Sequence, residues 1–220
     1  MKVAEIYKSL QGEGALTGTP SVFVRTSGCN LRCDFCDSPF TSWEPEGEDL
    51  GVDEIMEEIN RHDTQHVVLT GGEPMMQQDG LLRLMEELGP EYWFEIETNG
   101  TILPVPAFDA RINQYNLSPK LANSNNPAKL REKPEAYRFF AQNPRAVFKF
   151  VITEEQDLEE VKALAGKYGI SPRRIYLMPE GVSGESLAAR QAWLVEQCKS
   201  NGFHFTTRLH ILIFGNKRGV

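Results

Sequence analysis

Short apolar runs recur along the chain, each closed by a cluster of Gly, Pro, Asn or Ser, and stretches of helical period lie between them. Val3–Tyr7 predicts a short strand that leads into the turn-rich Ser9-Leu-Gln-Gly-Glu-Gly14, and Ser21–Thr26 alternates as a half-buried strand would. That strand delivers the chain to a loop dense in cysteine, and residues 38–51, rich in Pro, Gly and acid, predict an exposed connection. Val52, Ile55, Met56 and Ile59 then fall at i, i+3, i+4 and i+7, the spacing of one helix face. The alternation continues. His66–Thr70 is a buried-type strand ending in Gly71-Gly-Glu-Pro74, and residues 81–88 resume a helical period. Trp93–Glu97 ends in Thr98-Asn-Gly100, and Tyr115–Leu117 ends in Ser118-Pro-Lys120. Ala146–Ile152 and Arg174–Met178 predict strands separated by a helix with Leu158, Val161 and Leu164 on one side. A last helix over about 185–200 precedes an expected terminal strand containing Leu209-His-Ile-Leu-Ile-Phe214.

Strands alternating with helices in sequence order predict an α/β fold, a parallel sheet with helical crossovers. About six such units are too few to close an eight-stranded barrel. The expectation is therefore a partial, open β/α barrel, one domain over residues 1–220, with its ligand site at the C-terminal ends of the strands. The polar turn motifs should converge there.

Composition narrows the partners. The net charge of -8 argues against a broad nucleic-acid-binding face, which needs an excess of Lys and Arg. No apolar run approaches the length of a membrane-spanning helix, and nothing at the N-terminus reads as a signal peptide. A cytoplasmic protein acting on a small molecule is the expectation, in a compartment where thiols stay reduced.

Three of the four cysteines, Cys29, Cys33 and Cys36, form a C-x3-C-x2-C loop within residues 28–38. A cubane iron–sulfur cluster is normally held by four thiolates, so a loop offering three leaves one iron free to bind something else. Structural zinc is the competing reading, but it wants four protein ligands, and neither His62 nor His66 stands at ligand spacing. An odd cluster of cysteines cannot pair internally as disulfides. Cys198 makes an apolar face with Leu194 and Val195 and reads as a buried structural thiol, and Phe139, Phe140, Phe148 and Phe150 read as core.

Together, the cysteine loop after one strand and Gly71-Gly-Glu-Pro74 after another resemble the radical S-adenosylmethionine (SAM) superfamily. The resemblance extends along the chain to the 7-carboxy-7-deazaguanine synthase family, through residues 9–14, Gly28–Asp37, Thr70–Pro74, Glu97-Thr-Asn-Gly-Thr101 and Ser118-Pro-Lys120. It implies a radical SAM enzyme that converts 6-carboxy-5,6,7,8-tetrahydropterin to 7-carboxy-7-deazaguanine. A 5′-deoxyadenosyl radical takes hydrogen from C6, the ring contracts with loss of ammonia, and hydrogen returns to the deoxyadenosine. A rival within the superfamily is an activase that makes a glycyl radical in a partner protein. Outside it stands a zinc-stabilised binding module.

The resemblance also implies roles. Cys29, Cys33 and Cys36 would hold a [4Fe-4S] cluster, and Gly72, Glu73, Asn99, Ser118, Pro119, Lys120, Met178, Pro179 and Glu180 would face SAM. Glu73 is expected to accept from the SAM ammonium. Leu10, Gln11, Gly12, Glu13, Arg25, Thr70, His210 and the Val220 carboxylate would face the pterin, with Arg25 forking its carboxylate. Relatives commonly carry Thr after Cys-Asp as a Mg2+ ligand, and here the position is Ser38, whose rotamer is less restricted. A one-electron donor such as flavodoxin or ferredoxin and a homodimeric state are implied as well.

Overall fold

The computed structural model describes residues 1–220. Strand β1 (Lys2–Leu10) pairs antiparallel with β2 (Pro20–Thr26) on one edge and with the two-residue β3 (Glu48–Asp49) on the other. From β2 onward every neighbour is parallel, through β4 (His66–Gly71), β5 (Trp93–Thr98), β6 (Gln114–Leu117), β7 (Ala146–Ile152), β8 (Ile175–Pro179) and β9 (His204–Phe205). The edge strands β3 and β9 are not paired with each other, so the sheet is open. The six expected parallel strands are β2 and β4 to β8, with the short β9 added at the edge.

Helices α1 (Val52–Asn60), α2 (Gln78–Leu88), α3 (Pro106–Arg111), α4 (Ala128–Arg131), α5 (Pro134–Gln142), α6 (Glu155–Tyr168), α7 (Gly184–Asn201) and α8 (Leu209–Phe214) make the connections and the C-terminal turn. Two sequence expectations change. Residues 209–214 form α8 and not a strand, because β9 already occupies the sheet edge and a six-residue apolar run has no period that separates helix from strand. The helices of residues 106–142 are too short to announce themselves by period, and the 38–51 connection buries Thr41 and Ser42 in a 3-10 turn. No helix is long and apolar enough to cross a membrane.

Strand periodicity divides the sheet into two unlike faces. Val67, Leu69, Phe94, Ile96, Tyr115, Leu117, Phe148, Phe150, Ile175 and Leu177 face the helices and share one apolar cluster with Ile55, Leu81, Phe108, Phe140, Val161 and Leu194. Cys198 belongs to this cluster and donates to the His204 carbonyl at 3.3 Å. Alternate positions carry Arg25, Thr70, Glu95, Glu97, Asn116 and Lys149, so the other face is polar. The core lies outside the curve of polar residues. The site lies within it.

One buried pair sits low on that polar face. His66 Nε2 lies 3.6 Å from Glu95 Oε2, and neither atom has another partner. Ser21 Oγ donates to the Thr19 carbonyl at 2.9 Å and lies 2.6 Å from His66 Nδ1, so it accepts the Nδ1 proton. His66 Nε2 is then a bare acceptor facing Glu95 Oε2 across 3.6 Å, too far for a hydrogen bond. Burial first, and Glu97 second, push the Glu95 carboxyl up to about 8, against hydrogen bonds from Gln11 and Asn116 and the charge of Lys149. Burial holds His66 down at about 4.

The signs of the two shifts oppose. An acid raised from 4.5 to about 8 on folding contributes stability that declines as pH rises through that window. A histidine lowered from 6.5 to about 4 costs stability as pH falls through its own window. Glu95→Gln, which can still accept from Asn116, should therefore flatten the decline between about pH 6.5 and 8 and expose the His66 loss below about pH 6.5 that Glu95 otherwise offsets. Thermal denaturation at three pH values checks this, and a variant that parallels the parent above pH 6.5 contradicts the neutral acid.

Candidate active site

Strand β2 ends at Thr26, and the chain then turns over the end of β4. Gly72 N–H donates to the Thr26 carbonyl at 3.1 Å, Glu73 N–H to the Gly28 carbonyl at 2.8 Å, and Gly28 N–H to the Thr41 carbonyl at 2.8 Å. These bonds press three backbones together. A Cβ at Gly72 would sit 2.3 Å from the Gly28 oxygen and 2.7 Å from the Thr41 oxygen, and Gly71 holds φ +137°. Only glycine fits here.

The loop so docked carries Cys29, Cys33 and Cys36, all free thiols on the wall of one cavity. Each sulfur has a polar neighbour: Leu31 N–H at 3.4 Å from Cys29 Sγ, Asn126 Nδ2 at 3.3 Å from Cys33 Sγ, and Ser42 Oγ at 3.3 Å from Cys36 Sγ. Asn126 also accepts from Arg32 N–H at 2.9 Å, and Trp43 Nε1 donates to the Cys33 carbonyl at 3.2 Å, so the loop is tethered on two sides. Burial pushes the Cys29 thiol up to about 11 and raises Cys33 as well, so a metal is what would hold them as thiolates. Three thiols with donors beside their sulfurs fit an iron–sulfur cluster, whose potential responds to such hydrogen bonds. His66 stands at the start of β4, at the far end of that strand from the loop, and does not join the cysteines.

The facing wall begins where β1 ends. Leu10, Gln11, Gly12 and Glu13 line the cavity with Arg25, Thr70 and Glu97. Glu97 accepts from Thr70 Oγ1 at 2.8 Å and from Gln11 Nε2 at 3.3 Å. Glu13 is paired through one oxygen with Lys149 Nζ and through the other with Arg208 Nε at 3.0 Å. Burial opposes its ionisation, but the charges of Lys149, Arg208 and His210 hold the Glu13 carboxyl well below the usual carboxylate range. Arg25 donates to Glu5 at 3.0 Å through Nε and to the Tyr7 hydroxyl at 2.7 Å through Nη2. Lys149 and Arg208 were not among the residues marked in the sequence. A lysine alternating with Phe148 and Phe150 was the available signal for the first.

At the other strand ends, Gly72, Asn99, Ser118, Lys120, Met178, Pro179 and Glu180 line the same cavity. Lys120 Nζ donates to Ser118 Oγ at 2.8 Å, and Asn99 Nδ2 donates to Asn30 Oδ1 of the cysteine loop at 2.8 Å. Glu73 and Pro119 do not reach the wall. Glu73 is fully buried beneath it and accepts from Met75 N–H at 3.0 Å, Thr98 Oγ1 at 2.7 Å and Asn99 N–H at 2.7 Å. Its carboxylate braces the turn that presents Asn99.

The C-terminal segment closes the rim. His210, Asn216, Lys217, Arg218, Gly219 and Val220 line the cavity, with the His210 ring against Gly12. Arg218 donates to Glu5 at 2.7 Å and to Glu46 at 3.1 Å, and its guanidinium lies 3.5 Å from the centre of the Phe40 ring. Ser38, nearly buried, donates from Oγ to Asp37 Oδ1 at 3.0 Å.

Gly72→Ala tests the interlock of β4 with the loop. The protein should keep its far-ultraviolet circular dichroism and lose most of its capacity to bind iron on anaerobic reconstitution; full iron content in the variant contradicts the close-approach account.

The model of the radical SAM superfamily matches residues 23–138. A 7-carboxy-7-deazaguanine synthase of Pyrobaculum aerophilum is 40% identical, with 100% of this chain and 97% of that protein covered. Another, from Rhodopirellula baltica, is 38% identical, with 99% and 88% covered. Among solved structures, QueE from Escherichia coli superposes with a TM-score of 0.71 at 25% identity over 95% of this chain and 94% of that one. With a radical SAM fold, three free thiols at its strand ends and relatives of this likeness over its whole length, the chain belongs to the 7-carboxy-7-deazaguanine synthase family of radical SAM enzymes.

Proposed function

We propose that the chain converts 6-carboxy-5,6,7,8-tetrahydropterin to 7-carboxy-7-deazaguanine with loss of ammonia. The observation that carries this reading is a single cavity with three free thiols on one wall and a polar, charge-fixed wall opposite. A [4Fe-4S] cluster with SAM, as family membership implies, supplies a carbon-centred radical at the 5′ position of deoxyadenosine. Everything else falls to the protein, which binds, orients and excludes competing reactions.

Cys29, Cys33 and Cys36 would hold the cluster through three thiolates, which would leave it a position open to SAM. Lys120, next to Ser118, offers an ammonium to the SAM carboxylate, and Asn99 is held in place by Asn30 and by Glu73 below. Backbone at Gly72 and at Met178, Pro179 and Glu180 is available to the rest of the ligand. A glycyl-radical activase has no use for the polar wall formed by residues 10–13, Arg25 and Lys149.

A pterin offers a guanidine-like edge with paired N–H donors, and an ionised Glu13 suits it, since each carboxylate oxygen keeps an acceptor site beyond its ion pair. Arg25 spends Nε and Nη2 within the chain and keeps Nη1 for the substrate carboxylate. Thr70, His210 and the Val220 carboxylate complete the substrate side. Ser38 would contribute its hydroxyl oxygen to a Mg2+ ion. An external one-electron donor such as flavodoxin or ferredoxin would supply the electron that the cluster needs, and the enzyme would work as a cytoplasmic homodimer.

Anaerobic incubation with SAM, a reductant and carboxytetrahydropterin, read by mass spectrometry, tests the reaction. Carboxydeazaguanine should form. Replacing any of Cys29, Cys33 or Cys36 by Ala should abolish SAM cleavage, while Cys198→Ala preserves it; activity retained in Cys33→Ala sinks the ligand assignment. Arg25→Gln should raise KM for the pterin about tenfold or more, with a smaller effect on kcat, through loss of a charge-assisted hydrogen bond. Equal turnover in magnesium-free and magnesium-replete buffer refutes the role of Ser38.

A further inference from the structure

Arg208 lies outside every strand of the parallel sheet, yet its guanidinium reaches three separate parts of the site. Nε donates to Glu13 Oε1 at 3.0 Å, Nη1 to the Gly181 carbonyl at 2.8 Å, and Nη2 to Asp37 Oδ2. The first partner follows β1, the second follows β8 and the third belongs to the cysteine loop. The Arg208 side chain is 7% exposed, so its contacts with Glu13 and Gly181 are made largely out of water, while Asp37 sits at the solvent edge.

Two further contacts make the arrangement rigid. Leu209 N–H donates to the Gly12 carbonyl at 2.9 Å, and the His210 ring leaves no room for a Cβ on Gly12. Segment 208–210 is thus seated on residues 12 and 13. Beyond Glu13 the chain of charges continues to Lys149, and beyond Asp37 it continues to the Ser38 hydroxyl. Lys149, Glu13, Arg208 and Asp37 alternate in sign and sum to zero, which lets the first three share one desolvated region with Asp37 at its solvent edge. An arginine suits the centre, because a planar fork with donors in fixed directions can hold three acceptors at set angles.

From this we infer that Arg208 is a positioning residue that fixes the distance between the substrate-facing wall at Glu13 and the cysteine loop at Asp37. The inference rests on the proposed function for its catalytic consequence. Its structural consequence stands apart: without Arg208, Asp37 has no ion-pair partner, its side chain is already 42% exposed, and the end of the loop is freed. A substrate held on one wall and a radical generated at the other then lose their fixed spacing. Misplacement of about 1 Å can cost a factor of 100 in rate.

Arg208→Gln and Arg208→Lys, reconstituted to the iron content of the parent, test this with two readouts. Amide hydrogen exchange over residues 34–42 should rise in Arg208→Gln while the strands of the sheet keep their protection; unchanged exchange there overturns the inference whether or not the proposed reaction is correct. In turnover, the 5′-deoxyadenosine released per carboxydeazaguanine formed should rise about tenfold, because radical formation survives and productive hydrogen transfer does not. If both products fall together in proportion, Arg208 serves stability alone and the positioning role is overturned. Asp37→Asn should reproduce the higher ratio, and combining it with Arg208→Gln should add little, whereas full additivity contradicts a shared route. A parent protein that forms no carboxydeazaguanine removes the proposed function and leaves the exchange experiment to decide on Arg208.

Discussion

The site depends on a close approach of backbone to backbone. Residue 72 has carbonyl oxygens of Gly28 and Thr41 where a side chain would be, and the N–H groups of Gly28, Gly72 and Glu73 are all spent in holding that contact. A loop of irregular backbone carrying three cysteines has no ladder of its own to define it. Its shape comes from the end of β4, from Asn126 and Trp43 on its flanks, and from Asn30 bonded to Asn99. The Gly-Gly pair therefore serves the loop before it serves any ligand.

The division of the sheet into an apolar and a polar face explains how so many charges can be carried inside a small protein. The helix-facing positions supply the burial that stabilises the fold. The other face holds Arg25, Glu95, Glu97 and Lys149, each of which is costly to bury alone. They persist because they are met: Glu97 by Thr70 and Gln11, Lys149 by Glu13, Arg25 by Glu5 and Tyr7. Glu95 follows the other course: burial first, and Glu97 second, push its carboxyl up to about 8. Electrostatic cost is what decides which protonation state each position adopts.

Much of this was legible in the sequence, for definite reasons. Buried strands such as His66–Gly71 and Trp93–Thr98 announce themselves by apolar runs closed with turn residues, and three clustered cysteines are hard to assign to anything but a metal. Residues 10–13, Arg25, Thr70, Asn99, Ser118 and Lys120 do gather on one cavity. Other features could not be read. Arg208 acquires its meaning from partners 171 and 195 residues away, and no local pattern encodes that. Glu73 sits in a turn motif that fixes its place in the chain but not the direction of its side chain, which points down to Thr98. The apolar run at 209–214 fits helix and strand alike, and only the occupied sheet edge decides.

The rim of the cavity is not uniform in stiffness. Most of the wall is strand end, held by ladders and buried ion pairs, but residues 216–220 are held through Arg218, which is 49% exposed and leans on Phe40, Glu5 and Glu46. Ions in solution screen such surface pairs and leave buried ones nearly untouched. Glu5 also orients Arg25, so the same carboxylate that anchors the tail tunes a residue inside the pocket. The medium around the protein therefore acts on the pairs at this edge more strongly than on the buried pairs of the other walls.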